Sequence, residues 1–155
     1  MFREKVQSLL ESFLEERTDL FLIDFKLSND NKINIILDGD KGVSIQDCLD
    51  VSRAIENNID REEIDFALEV ASFGLSNSLS VPRQFIKNVG RELDVIDSFD
   101  KSFTAELINA NQESIILKWN ERVPKKIGKG KETIQIEKEF LYKDVKSAKI
   151  HINFN

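Results

Sequence analysis

The chain has 155 residues, which at about 150 residues per domain means one ordinary domain or two small ones, and excludes a long multidomain enzyme. Hydrophobic residues make up 41% and charged residues 32%, so a disordered or fibrous chain is also excluded. No apolar run approaches the roughly 20 residues that span a bilayer, and acidic residues interrupt the N-terminal segment where a signal peptide is apolar. We therefore expect a cytoplasmic protein with no membrane contact.

Cysteine and histidine are too scarce for several kinds of chemistry. The chain has one cysteine, Cys48, and one histidine, His151, so it forms neither an internal disulfide nor a Cys/His zinc site. Cys48 falls among apolar helix positions and His151 in an alternating strand pattern, which predicts a small core residue and a surface histidine. We expect no cofactor, no metal and no catalytic residue.

Charge divides unevenly along the chain. Residues 1–82 hold 8 basic and 17 acidic residues, a formal charge of −9, whereas residues 83–155 hold 14 basic and 11 acidic, a charge of +3. An acidic first part suits docking to basic surfaces such as ribosomal proteins, and the second part has the opposite bias. A simply well-solvated acidic surface is the alternative.

The first part predicts a small α+β domain. Apolar residues at helical spacing over residues 2–14 predict an amphipathic helix, and Ser44 with Asp47 three residues later predicts the capped start of a second helix. Three β-rich runs complete an α-β-β-α-β order. These runs are residues 20–27, 32–38 and 66–71, the first two joined by a polar turn at 28–31.

The two parts are joined by residues 72–91. A Gly/Ser/Asn-rich loop at 72–78 precedes Pro82, which suits the first turn of a short helix, and Gly90 is the natural residue to end that helix. We place the boundary between a domain of residues 1–82 and a domain of residues 83–155.

The second part predicts an all-β domain. It contains five short strand patterns separated by turn residues and no long helical pattern. Five strands in about 65 residues predict a small closed barrel of SH3-like or Sm-like type, because closure removes exposed sheet edges. The strand patterns cover residues 92–96, 103–108, 114–119, 133–140 and 149–154.

One basic segment stands out in the second part. It is spaced by Pro124, Gly128 and Gly130 and has only Glu121 and Glu132 as nearby acids. Lysines on such a loop neutralise phosphates without reading bases, whereas the plainer interpretation is a solvated hairpin tip. The glycine spacing fits neither a Walker loop nor a dinucleotide fingerprint. The basic residues are Arg122, Lys125, Lys126, Lys129 and Lys131.

Other candidate residues favour structural roles. Trp119 and Tyr142 sit among apolar strand or turn residues, which predicts core packing rather than base stacking. Asp38 and Asp40 flank a glycine at a strand end but lack the later glutamate of an EF-hand, and Glu69 lies mid-strand opposite its apolar neighbours. A hydrolase using these carboxylates stays open as a weaker hypothesis, since no base or nucleophile is positioned beside them.

Residues 68–91, LEVASFGLSNSLSVPRQFIKNVGR, resemble the joining segment of the bacterial ribosome maturation factor RimP family. In that family a strand ending L-E-V-S-S runs into P-G-L, then an L-D-R-P-L-like stretch, then P-R-x-F and a G-R or G-K step. Phe73 departs from the proline of P-G-L, and residues 76–78 depart from D-R-P. The matching residues are Leu68, Glu69, Val70, Ser72, Gly74, Leu75, Leu79, Pro82, Arg83, Phe85, Gly90 and Arg91.

This resemblance implies a two-domain assembly factor and not an enzyme. Such a protein binds the immature 30S small ribosomal subunit, assists its maturation, and contacts a small-subunit protein near the decoding centre through its SH3-like domain. We expect it to act as a monomer, with Gly74, Pro82 and Gly90 shaping the junction. A stand-alone Sm-like RNA-binding protein is the alternative. The residues expected to meet rRNA are Arg83, Arg91, Arg122, Lys125, Lys126, Lys129 and Lys131.

Overall fold

The computed structural model describes residues 2–74 and 76–152, so Leu75 and the end of the last predicted strand, 153–154, lie outside the described residues. The chain divides into two compact units, residues 1–74 (unit 1) and 75–155 (unit 2). The predicted boundary was at residue 82. Residues before it belong to unit 2 because Leu79 is buried and its backbone N–H donates a hydrogen bond to the Ala148 carbonyl at 2.8 Å.

Unit 1 has the predicted α-β-β-α-β order. Its sheet has β2 in the centre, with β1 antiparallel on one side and β3 parallel on the other. A parallel pair requires a crossover connection, which α2 supplies. The elements are α1 (Phe2–Glu16), β1 (Leu20–Leu27), β2 (Lys32–Gly39), α2 (Ile45–Glu56) and β3 (Ala67–Ser72).

The core of unit 1 lies between the two helices and one face of this sheet. Alternate residues of β2 point toward the helices, as the period of a strand requires. Apolar residues at helical spacing on α1 and α2 cover them. The buried cluster consists of Val6, Leu10, Ile33, Ile35, Leu37, Val51, Ile55, Ile59 and Phe66.

The start of α2 is fixed by the predicted capping box. Ser44 Oγ accepts a hydrogen bond from the Asp47 backbone N–H at 3.0 Å, and Asp47 Oδ2 accepts one from the Ser44 backbone N–H at 2.9 Å. Arg17 donates to Asp47 Oδ1 at 2.9 Å and so ties the end of α1 to the start of α2. The bond from the Ser44 N–H, together with Arg17, holds the pKa of Asp47 below its usual range.

Unit 2 contains one short helix and a five-stranded sheet in the order β7-β6-β5-β4-β8, with antiparallel pairing throughout. A single 3₁₀ turn, Tyr142–Asp144, precedes the last strand. No helix among the residues described in either unit is long and apolar enough to cross a membrane. The elements are α3 (Pro82–Lys87), β4 (Glu92–Asp97), β5 (Ser102–Ala110), β6 (Ser114–Pro124), β7 (Lys131–Leu141) and β8 (Val145–Ile150).

One face of this sheet carries the core of unit 2. The chain is α+β, as predicted. A closed SH3-like barrel is not confirmed, because strand pairing leaves β7 and β8 as the two edges of the sheet. Irregular pairing near Asn109 and Asp97 interrupts β5 and β4, as bulges do where strands bend. The buried sheet residues are Leu93, Val95, Ala105, Leu107, Ser114, Ile115, Leu117, Trp119, Phe140 and Ala148.

The position predicted for the last strand was wrong. We expected residues 149–154, but β8 ends at Ile150, and His151 and Ile152 lie outside it. The cause is pairing with β4, which runs from Asp97 opposite Val145 to Leu93 opposite Ile150. A strand ends where its partner ends, whatever the alternation beyond that point.

Candidate nucleic-acid interface

The basic segment lies at the end of a long hairpin formed by β6 and β7. All eleven residues of each strand pair, from Ser114 opposite Leu141 to Pro124 opposite Lys131. Trp119 is the last buried residue of β6, and no residue from 120 to 135 is buried. The end of the hairpin therefore contributes nothing to the core, and its side chains are available to solvent or to a partner.

The turn of this hairpin has a defined backbone. The Lys125 backbone N–H donates to the Gly130 carbonyl at 3.1 Å, which continues the pairing one step beyond the strands. Gly128 and Gly130 have φ angles of +84° and +98°, a region that residues with a Cβ rarely adopt. The predicted glycine-spaced loop thus holds its lysines on a turn rather than on a free linker.

The basic side chains of this turn have no acidic partner in the described part of the chain. We call the set Arg122, Lys125, Lys126, Lys129 and Lys131 the basic tip. All five are exposed, and none forms an ion pair with any residue that the structure describes. Five positive charges so close in sequence repel one another, and this repulsion costs free energy unless counterions or a polyanion neutralise it.

Of the two acids near the basic tip, Glu121 is already engaged. It pairs with Lys101 and accepts a hydrogen bond from Trp119 Nε1 at 2.9 Å. The bond from Lys101, reinforced by that from Trp119, lowers the pKa of Glu121. Glu121 is therefore not available to neutralise the positive charge of the basic tip. Glu132 stands opposite Val123 and remains the one acid within β7 next to the turn.

The other predicted rRNA contacts, Arg83 and Arg91, lie elsewhere in unit 2. Arg83 is partly buried in α3, and Arg91 is exposed immediately before β4. The Leu107 backbone N–H donates to the Arg91 carbonyl at 2.9 Å. Because β4 runs from Glu92 toward the turn at 98–101, Arg91 sits at the end of the sheet opposite to the basic tip. The structure thus separates Arg91 from the basic tip and places Arg83 on the short helix α3.

The glycine and proline predicted to shape the junction have clear local roles in unit 2. Pro82 occupies the first turn of α3. Gly90 has a φ of +98°, and its N–H donates to the Leu107 carbonyl at 2.7 Å, so it turns the chain from α3 into β4. Gly74 is the last residue of unit 1, next to Leu75 outside the described residues, and its predicted role stays a prediction.

The predicted core role is confirmed for Trp119, whereas Tyr142 is only partly buried. The Trp119 ring packs on Phe103 at 4.5 Å and on Phe140 at 6.0 Å between centroids. Tyr142 packs against Phe85 at 5.1 Å and donates its hydroxyl to the Asn111 carbonyl at 2.6 Å. Burial raises the pKa of Tyr142. Trp119 therefore packs in the core of unit 2, and Tyr142 packs at its margin.

The acidic candidates do not gather into a site. Asp38 is buried and accepts a hydrogen bond from the Gly39 N–H at 2.8 Å, whereas Asp40 and Glu69 are exposed. Within the described ranges, no three His, Cys, Asp or Glu residues are arranged to hold a metal ion. Cys48 is partly buried, which raises the pKa of its thiol, and His151 Nδ1 lies 2.8 Å from Asp94 Oδ1.

Sequence reasoning missed two exposed apolar residues at the same end of the sheet as the basic tip. Phe99 is 89% exposed in the turn between β4 and β5, and Ile127 is 90% exposed in the basic turn itself. The sequence offered one signal for the exposure of Phe99. It lies among turn-forming residues between the strand patterns of residues 92–96 and 103–108, and therefore outside the predicted core.

Comparison with known proteins gives a consistent result. The model of the RimP N-terminal domain family matches residues 9–76. A protein of Christiangramia forsetii named ribosome maturation factor RimP is 51% identical over 99% of this chain and 100% of its own length. Proteins with the same name from Flavobacterium psychrophilum and Porphyromonas gingivalis are 48% and 32% identical, covering 99% and 94% of the chain and 99% and 95% of their own lengths.

Proposed function

Because the chain belongs to the ribosome maturation factor RimP family, we propose that it binds the immature 30S small ribosomal subunit in the cytoplasm and assists its maturation without catalysing a reaction. Preferential binding to one state of an assembling particle is enough to change its population, so the proposal needs no chemical step. The proposed active form is a monomer.

The observation that carries this proposal is the basic tip. Five exposed cationic side chains without an ion-pair partner in the described chain stand beyond the core on a defined turn. Contacts of this kind give sequence-independent affinity for phosphates and position a protein on RNA. In the proposal they lie on rRNA, while Arg83 on α3 and Arg91 immediately before β4 make further rRNA contacts.

Unit 1 has a different role in the proposal. Its charge of −9 opposes non-specific binding to RNA and favours a lysine-rich ribosomal protein. Unit 2, taken as an SH3-like module, contacts a small-subunit protein near the decoding centre, as the family resemblance implies. The two charges together restrict the protein to a surface that offers both RNA and basic protein.

A stand-alone Sm-like RNA-binding protein is the second candidate. It is favoured by one observation, that all the residues of the basic tip belong to unit 2. Such a protein would bind bulk RNA as well as it binds the small subunit. An excess of unrelated RNA would then remove it from the particle, whereas a maturation factor would stay bound.

The test is co-sedimentation of the full-length protein with immature small subunits, mature small subunits and large subunits at several salt concentrations. We expect selective, salt-sensitive binding to immature small subunits. Replacing Lys125, Lys126, Lys129 and Lys131 by glutamine is expected to weaken binding and to reduce the salt slope by up to about 0.9 for each phosphate that the variant no longer neutralises.

The matched control removes the same charge from unit 1. Lys5, Lys26, Lys32 and Lys41 are all exposed, and their replacement by glutamine is expected to leave the salt slope unchanged. Equal binding of the wild-type protein to every particle, or no binding at all, would overturn the proposed function. An unchanged slope in the basic-tip variant would remove the tip from the interface.

A further inference from the structure

Phe99 is held in an unusual position for a large aromatic side chain. It lies in the turn of residues 98–101 between β4 and β5, and it is 89% exposed. Exposure of a whole phenyl ring to water costs free energy that burial would recover, about 25 cal/mol for each Å² of apolar surface. The ring therefore contributes nothing to the core of unit 2.

The turn that carries Phe99 is nevertheless well fixed. Asp97 Oδ1 accepts hydrogen bonds from the backbone N–H groups of Phe99 and Lys101, both at 2.9 Å. Asp100 has a φ of +63° and donates its N–H to the Asp97 carbonyl at 3.0 Å, while the Ser98 N–H donates to the Asp144 carbonyl at 3.0 Å. The backbone of Phe99 is thus ordered before any partner arrives, which lowers the entropic cost of binding.

Phe99 also lies at the basic end of unit 2. Strands β5 and β6 are antiparallel, with Glu106 opposite Lys118, so the start of β5 lies beside the far part of β6. The ion pair between Lys101 and Glu121 joins the turn of Phe99 to the strand that leads into the basic tip. On the other side, Lys146 at the start of β8 pairs with Asp100.

We propose that Phe99 stacks on an unpaired RNA base while the basic tip holds the neighbouring phosphates. The inference rests on the proposed function, and it identifies the ligand of this end of unit 2 as single-stranded RNA. An exposed aromatic ring at the same end of the sheet as a cluster of exposed cations suits single-stranded nucleic acid, because each nucleotide presents a flat face and a phosphate.

The charges favour RNA over an apolar protein pocket as the partner of Phe99. The basic tip offers five cations without ion pairs in the described residues, and Glu121 is already engaged by Lys101. A double helix hides the faces of its bases, so stacking selects single-stranded segments. Since every base has such a face, we expect little sequence preference.

The experiment uses the full-length protein and a fluorescently labelled uridine oligonucleotide of about 12 nucleotides, a length within the range that such sites cover. We expect Phe99→Ala to weaken binding by roughly 5- to 150-fold, the equivalent of removing one stacked base. Phe99→Trp is expected to restore the affinity, and its emission is expected to change on RNA binding. The salt slope is expected to stay that of the wild type, because the substitution leaves every cation of the basic tip in place.

Ile127→Ala is the matched control. Ile127 is as exposed as Phe99 and lies at the same end of the sheet, but it has no aromatic face. Its replacement keeps every cation of the basic tip and the Phe99 ring in place, so we expect a much smaller loss of RNA affinity than in Phe99→Ala. A loss of affinity as large as that in Phe99→Ala would replace stacking by general apolar contact and overturn the inference.

Two further results would also overturn it. In the first, Phe99→Ala binds the oligonucleotide as tightly as the wild-type protein does. In the second, the wild-type protein shows no measurable binding at low salt. Retained RNA affinity with reduced binding to small-subunit proteins would assign Phe99 to a protein contact instead. The proposed function fails separately, when the wild-type protein binds single-stranded RNA through Phe99 but does not co-sediment with small subunits.

Discussion

The two units place their charge and their core in different ways. Unit 1 buries its core between two helices and a three-stranded sheet and carries a charge of −9, whereas unit 2 carries +3, because residues 75–82 have no charged side chain. In unit 2 the sheet continues past its core into a hairpin whose end is basic. Strand length beyond the core therefore distinguishes the proposed binding hairpin from the rest of unit 2.

The strongest way to break this comparison is to remove one buried side chain from each core. Ile35 in unit 1 and Leu107 in unit 2 are both almost fully buried. Replacing either by alanine is expected to cost about 2–5 kcal/mol of the free energy of unfolding, because burial is reduced and a cavity is left behind. We expect each effect to stay within its own unit.

Two signals distinguish the units during denaturant unfolding. Trp119 is the one tryptophan and reports on unit 2, while helical ellipticity reports mainly on α1 and α2 of unit 1. Leu107→Ala is expected to move the fluorescence midpoint, and Ile35→Ala the ellipticity midpoint. Equal movement of both midpoints in both variants would show one cooperative structure and end the comparison.

A buried polar side chain sharpens the comparison for unit 2. Gln84 is fully buried, and its Oε1 accepts a hydrogen bond from the Ser80 backbone N–H at 2.8 Å. Gln84→Ala removes this buried side chain and the hydrogen bond that it accepts, and is expected to cost about 1–3 kcal/mol, seen in the fluorescence midpoint. Gln46→Ala on the exposed side of α2 is the control, expected within about 0.5 kcal/mol of wild type. An equal effect of both would show that the buried hydrogen bond of Gln84 does not stabilise unit 2.

The capping box gives the corresponding test in unit 1. Ser44→Ala is expected to cost about 1 kcal/mol of the free energy of unfolding, seen in the ellipticity midpoint.

Because the pKa of Asp47 is lowered in the folded state, the stabilisation from its carboxylate is present above its ordinary pKa and is lost as the pH falls below about 4. Asp47→Asn is expected to reduce this acid sensitivity, and Asp50→Asn on the same helix is the control. Unchanged acid sensitivity in Asp47→Asn would contradict the assignment.

The smallest effect is expected from the surface charges of unit 2. Lys101→Ala removes the ion pair with Glu121, in which the lysine is about half exposed, and is expected to cost about 0.2–1 kcal/mol in the fluorescence midpoint. A cost above about 3 kcal/mol, the scale of a broken buried pair, would show that unit 2 depends on its charges for folding. The cations of unit 2 would then be needed for folding and would not be available to bind RNA.

Local patterns predicted most of the elements and the basic tip. The spacing of Ser44 and Asp47 placed the start of α2, and the glycines at 128 and 130 marked the turn with its lysines. What failed was set by distant partners. The end of β8 follows β4, and the separation of Arg91 from the basic tip follows strand direction, which no short segment of sequence records.

The exposure of Phe99 was missed for a related reason. Its position between strand patterns separates it from the core. The turn is fixed in part by a hydrogen bond from Ser98 to the distant Asp144, in addition to the local bonds of Asp97, and no short segment of sequence records that contact. The family resemblance contributed the role in ribosome maturation, but the matched segment of residues 68–91 contains neither Phe99 nor the basic tip. Local sequence therefore predicted the basic tip, whereas Phe99 was found only in the structure.

The pairing of β4 with β8 has a consequence for how the protein is made. The two strands are the first and last of their sheet, so β4 leaves the ribosome long before β8 does. During that interval β4 presents an open edge that another nascent chain can pair with. Unit 1 has all of its strands by residue 72 and can fold first. Slow translation through β7 would therefore lengthen the period in which unit 2 is prone to aggregate.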